Sequence, residues 1–210
     1  MTKEDEPKSH SKLTRARIAA ISELAFVQLL PKPTKKYSVS MLPITEDLPG
    51  EGWVKNSDQS WRIGVAKDGS SPKALRAKAI KSTRSRREFV REPDLERVLF
   101  SVAPYASDDD AGELINEFEE NTHKMVSRVL NLDDFTTFDQ IESRALGNSK
   151  CVEYRWDALG RIRVARAVAA RVKNVYFSVT CQKYGVPTPW PYVFEMAILQ
   201  SAKVRQIIEQ

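Results

Sequence analysis

Cysteine, histidine and glycine are scarce in this sequence, and no apolar run approaches the ~20 residues that span a bilayer. Each scarcity removes a class of protein. Two cysteines, Cys151 and Cys181, are too few for a disulfide scaffold and have no C-x-x-C or Cys/His spacing, so neither a structural zinc site nor a redox motif is written here. Small buried hydrophobes are the expectation for both. With His10 and His123 the only histidines and no G-x-S-x-G, no serine or cysteine nucleophile has an evident base. His10 sits in a charged tail, and His123 falls outside the apolar stripe of its helix, which makes it solvent-facing. The glycines form neither a P-loop nor G-x-G-x-x-G, so no phosphate cradle is evident. Residues Ile18 to Leu30 follow basic residues as a signal peptide would, but Glu23 interrupts them and no small-x-small cleavage site comes after. The expectation is a cytoplasmic protein with no membrane partner, no cofactor, no metal and no catalytic residue.

What is present is a mixed surface and one core. The net charge of +5 is the small difference between 33 basic and 28 acidic side chains, so the distribution of charge must carry any claim about polyanions. A 41 % hydrophobic content suffices for one domain. Met1 to Lys12 is nearly all polar and reads as a disordered tail. In residues 13–30, Ile18, Ile21, Leu24, Ala25 and Leu29 share a helical face until Pro31 and Pro33 end it. Residues 38–210 read as a single α+β domain, an antiparallel sheet covered by helices.

Within that domain, Tyr37 to Asp58 predicts an irregular segment with short strands only, and Trp61, Ile63 and Val65 alternate as a strand before the turn Lys67 to Ser71. Leu95 to Tyr105 alternates again. From Ser107, a possible cap, to Leu130 the spacing predicts one helix, with Asp108 to Asp110 at the positive end of its dipole. Three adjacent carboxylates there point in different directions and do not make a metal site. Asp133 to Ala145 predicts a bent strand and Val152, Tyr154 and Trp156 another. A last helix begins near Pro189, with Thr188 as its cap.

The stretch from Arg161 to Gln182, RIRVARAVAARVKNVYFSVTCQ, decides the architecture. Apolar residues occupy even positions up to Val172 and odd ones from Val175, and a two-residue turn at Lys173 and Asn174 requires that change of phase. Val172 then faces Val175, Ala170 faces Phe177 and Val168 faces Val179. A five-residue loop from Asp157 to Arg161 would set Trp156 opposite Ile162 and Tyr154 opposite Val164, completing a three-stranded meander. This register puts Cys151 and Cys181 on opposite faces and Arg166 on the apolar face between Val152 and Cys181. There its guanidinium needs a salt bridge inside the domain or a bound anion. The opposite face, with Ala165, Ala167 and Ala169, invites a helix, so both sides of the sheet are expected to be covered.

Two surfaces carry functional weight. Lys73 to Arg91 holds eight basic residues against Glu88, with Lys81, Arg84, Arg86, Arg87 and Arg91 as polyanion-binding candidates. Its only aromatic is Phe89, so it offers no stacking platform. The other surface comprises Trp190 and Tyr192 beside prolines, together with Arg166, as a corner for a partner.

The succession DLPGEGW, WRIGV, a strand ending near SVAPYAS, an acidic-capped helix, a meander containing RVKNVYFSVTCQ and a final helix PWPYVFEMAILQSAKVRQ resembles the Mog1/PsbP-like fold. It is most similar to actinobacterial LpqN-type lipoproteins and kinase sensor domains, from which it departs in lacking an export signal, a lipobox cysteine and a membrane span. The resemblance implies an α/β/α sandwich and a non-catalytic binding or adaptor role, and carries over no functional residue. The expected function is a protein-binding or scaffold module with an unknown partner or self-association. Nucleic-acid or polyanion binding through residues 73–91 is the alternative, and an enzyme with an unrecognised pocket is a third.

Overall fold

A computed structural model describes residues 36–62, 83–92, 95–105, 108–130, 132–137 and 145–209. The expected tail 1–12, the helix 13–30, the turn 67–71, Ser107 and Lys81 lie outside them. Seven antiparallel strands form one sheet in the order β1-β2-β3-β7-β6-β5-β4. They are β1 (Trp53–Arg62), β2 (Thr83–Arg91), β3 (Glu96–Pro104), β4 (Leu132–Thr137), β5 (Lys150–Asp157), β6 (Ile162–Val172) and β7 (Val175–Tyr184). The helices are α1 (Lys36–Ser40), α2 (Asp108–Asn116), α3 (Phe118–Val129) and α4 (Trp190–Ile208), and none of them is long and apolar enough to cross a membrane.

The meander is the centre of the sheet. The β6–β7 hairpin pairs Val172 with Val175, Ala170 with Phe177 and Val168 with Val179, as the change of phase requires. Lys173 takes a left-handed φ of 51° in the turn, and Asn174 is pinned there by two bonds with Tyr105. The β5–β6 connection differs from expectation. Four residues, not five, separate Asp157 from its partner Ile162, so Arg155 faces Val164 and Trp156 faces Arg163. Leu159 and Gly160 absorb the turn with φ of 61° and 79°, and Asp157 Oδ1 accepts a 2.6 Å bond from the Gly160 amide. Matching apolar sides failed as a guide because β6 is buried on both faces, so its side chains do not single one out.

Each face of the sheet meets its own core. On one, here the α4 face, α4 lies across β6 and β7, and α1 lies over β2 and β3. The core there includes Met41, Phe89, Phe100, Phe177, Val179 and Met196. Gln200, fully buried in α4, donates to the Met41 carbonyl at 2.7 Å and ties the two helical segments together. On the other, the α2 face, α2 packs on β6 and β7 and α3 on β4 and β5. Ile115, Phe118, Val152, Tyr154, Trp156 and the row Ala165, Ala167 and Ala169 meet there. The covering helix is two helices, broken at Glu117, which lets each half follow a different part of the twisted sheet.

Further expectations are corrected. Tyr37 to Asp58 contains most of α1 and most of the ten-residue strand β1, and the basic segment ends in strand β2. Thr188 does not cap α4: Pro189 is the N-cap residue, and the buried Thr188 hydroxyl points to Glu96 Oε1 at 3.5 Å. Cys151 and Cys181 lie on the same face of the sheet, and both are buried and free. They remain unpaired because β6 runs between them, a separation of roughly 10 Å against the ~7 Å limit for a disulfide. Arg166 pairs across the sheet with Glu153 and Cys181, not with Val152.

Candidate anion site on the α2 face

Strand alternation sorts the arginines of β2 into two environments. Ser85, Arg87, Phe89 and Arg91 share the α4 face with Val102, Phe100, Val98 and Glu96 of β3, whereas Arg84, Arg86 and Glu88 point the other way. On the α4 face each guanidinium is satisfied. Arg87 contacts Asp58 Oδ2 at 2.6 Å and the Pro43 carbonyl at 2.8 Å. Arg91 contacts Glu96 at 2.5 Å and stacks 4.5 Å from the Trp53 ring. Arg166 donates to Glu153 Oε2 and to the Thr188 carbonyl, both at 2.8 Å, and lies 4.9 Å from the Trp190 ring. The salt bridge anticipated for Arg166 is therefore Glu153. Burial pushes the Glu153 carboxyl up, but the hydrogen bonds from Arg155 and Arg166 outweigh it and hold it below its ordinary value.

The α2 face is different over the β1–β3 half of the sheet, away from the strands β4 to β7 on which α2 and α3 mainly pack. Four guanidiniums stand there with one carboxylate, Glu88, among the described residues. Arg84 Nε donates to Ser101 Oγ at 2.9 Å, and its Cζ lies 6.0 Å from the Tyr176 ring of β7, two strands away. Arg97 reaches Glu88 at 3.4 Å, while its Nε is buried without a partner. Arg86 Nε and Arg163 Nε are likewise buried and unpartnered. Arg163 exposes only 6 % of its surface; its one hydrogen bond, to the Leu95 carbonyl, is 3.5 Å long, and its Cζ lies 4.2 Å from the Tyr184 ring. Neither Arg86 nor Arg163 forms an ion pair among the described residues.

The electrostatics show the cost of this arrangement. Burial lowers the pKa of Arg86, with Glu88 opposing and Arg84 reinforcing the effect. Burial, then the neighbouring charge of Arg97, lowers that of Arg163. Arg86 also acts on Tyr154, whose phenol burial pushes up to about 12, although three strands lie between β2 and β5. A guanidinium fork matches a carboxylate or phosphate, and phenols that stay protonated can donate to one. The arrangement can therefore hold an anion.

Of the residues singled out from the sequence, Arg84 and Arg86 belong to this cluster. Arg87 and Arg91 lie on the α4 face in ion pairs, and Arg166 with Trp190 forms part of the joint between β5, β6 and the start of α4. Tyr192 is half-buried against the same core, its hydroxyl without a partner. Sequence reasoning missed Arg97 and Arg163. The second had a signal: it shares the phase of Ala165, Ala167 and Ala169, so it too needed a partner on a buried face.

The fold defines a class, an α+β domain with a seven-stranded antiparallel sheet and helices on both faces. No family model and no curated protein matches the chain. Among solved structures it is similar to the crystal structure of the extracellular domain of PknH from Mycobacterium tuberculosis, at 8 % identity and a TM-score of 0.48, over 85 % of this chain and 99 % of that one.

Proposed function

We propose that the chain is a non-catalytic binding module that takes an acidic group, carboxylate or phosphate, on the α2 face between β2, β3 and β6. The observation that carries this reading is the set of three buried Nε atoms, of Arg86, Arg97 and Arg163, that have no hydrogen-bond partner among the described residues. Buried guanidinium without an anion costs several kcal/mol, and a bound anion removes that cost. A binding role also agrees with the Mog1/PsbP-like pattern of the sequence. An extended polyanion laid along β2 fits less well, because alternation turns Arg87 and Arg91 to the other face.

Thermal unfolding at low ionic strength with inorganic phosphate, citrate and sodium chloride tests the reading. Phosphate or citrate should raise the melting temperature by several degrees at concentrations where chloride does not, and Arg86→Ala should abolish the shift. An absent shift, or one unchanged in Arg86→Ala, overturns it.

A further inference from the structure

The β2 end of the anion site is built on a single rung of the sheet. Arg86 pairs with Ser101, Ser101 with Ser178 and Ser178 with Ala169, so β3, β7 and β6 set three short side chains in a row beside a long cation. Arg84 leans into the same row: its Nε donates to Ser101 Oγ at 2.9 Å, and its Cζ lies 6.0 Å from the Tyr176 ring. Ser101 is buried, whereas Ser178, Arg84 and Arg86 are only partly so, and the trough over the serines is open to solvent along that side. The nearest carboxylates on this face are engaged elsewhere. Glu88 bonds to Ser57 through Oε2 at 3.3 Å and to Arg97 through Oε1 at 3.4 Å. Asp110 of α2 is buried and has an interaction of its own. Arg86 Nε is left buried without a partner among the described residues.

The hydroxyls narrow the class of ligand. Ser101 Oγ accepts from Arg84, so its hydrogen is left to donate, and Ser178, hydrogen-bonded to the Tyr176 phenol, brings a second hydroxyl one strand away. Two guanidiniums and two hydroxyls around one trough call for an acceptor with more than one charge and three free oxygens. A carboxylate has one charge and two oxygens, and a phosphodiester has one charge and two unsubstituted oxygens; either leaves a guanidinium uncompensated. A phosphomonoester carries about −1.5 to −2 charge at pH 7 and three strong acceptor oxygens. We propose that this subsite holds a phosphomonoester, with one oxygen toward Arg84, one toward Arg86 and the third toward Ser101 and Ser178. The inference rests on the anion reading above and fixes the class of its ligand. A free small phosphomonoester and a phosphorylated serine of another protein share this chemistry.

The test is isothermal titration of the full chain, at low ionic strength and mildly alkaline pH, with methyl phosphate, dimethyl phosphate and malonate. Methyl phosphate should bind at least roughly tenfold tighter than either of the others, since one more charge-assisted contact forms. Arg84→Gln should remove most of that preference, and Ser101→Ala should weaken methyl phosphate by roughly fivefold. The selectivity is read on the wild type, so it stands even where a variant fails to fold, which its melting curve shows. Affinity for dimethyl phosphate or malonate equal to that for methyl phosphate overturns the assignment of a phosphomonoester and leaves the anion site in place. No binding of any of the three overturns both. A phosphoserine peptide of otherwise neutral residues separates the two sources: tighter binding than methyl phosphate assigns the subsite to a phosphorylated protein, and weaker binding assigns it to a small phosphomonoester.

Discussion

Arg86 and Arg87 are adjacent in the chain and leave β2 in opposite directions, and the two faces of the sheet treat them differently. Arg87 enters an apolar core and is held by Asp58 and two backbone carbonyls. Arg86 enters a region rich in guanidinium and keeps a buried Nε without a partner. On the α4 face, then, arginine fastens the sheet to the segments packed on it. On the α2 face three arginines keep a buried Nε without a partner among the described residues, an arrangement that a bound anion would complete.

The widest separation between the faces should come from substituting these two neighbours. Arg87→Leu strands Asp58 and the Pro43 carbonyl and should cost about 3 kcal/mol, whereas Arg86→Leu removes an unmatched charge and should add about 1 kcal/mol. Urea unfolding without added anions measures both, and equal losses would erase the distinction. A smaller effect is expected from Glu153→Gln, about 2 kcal/mol at neutral pH, because a carboxylate shared by Arg155 and Arg166 is lost. The sign with pH follows from its lowered folded pKa: its contribution is present above the ordinary value of 4.5 and is lost as pH falls through the folded value. Unfolding curves of wild type and variant should therefore converge in acid; a constant gap would show that packing, not charge, holds the joint. The smallest change concerns the thiols. Burial pushes Cys151 up to about 12 and Cys181 up as well, so iodoacetamide should label neither in the folded protein at mildly alkaline pH, and both in urea. Rapid labelling of either would mean that the α4-face core opens.

Much of the meander and the last helix was legible because local rules govern them. The swap of apolar side chains at Lys173 and Asn174 set the β6–β7 register, since a two-residue turn leaves one geometric choice. The loop before Ile162 was not legible. Its length followed from placing Tyr154 and Trp156 on the valine side, yet those rings pack under α2 and α3 with the alanines of β6. Strand β2 was hidden for a related reason: its alternation is between arginine and arginine, with Phe89 almost its only apolar mark.

The order of residues alone determined that this chain makes a meander of strands closed by a C-terminal helix, because turn length and side-chain phase act over a few residues. It also excluded a helix that crosses a membrane among the segments described, though not contact with a membrane surface. Only the tertiary structure decided which arginines meet a carboxylate. That depends on which face each strand presents: the partner of Arg166 is Glu153, on another strand whose register the local sequence does not fix, and Arg86 Nε meets none among the described residues.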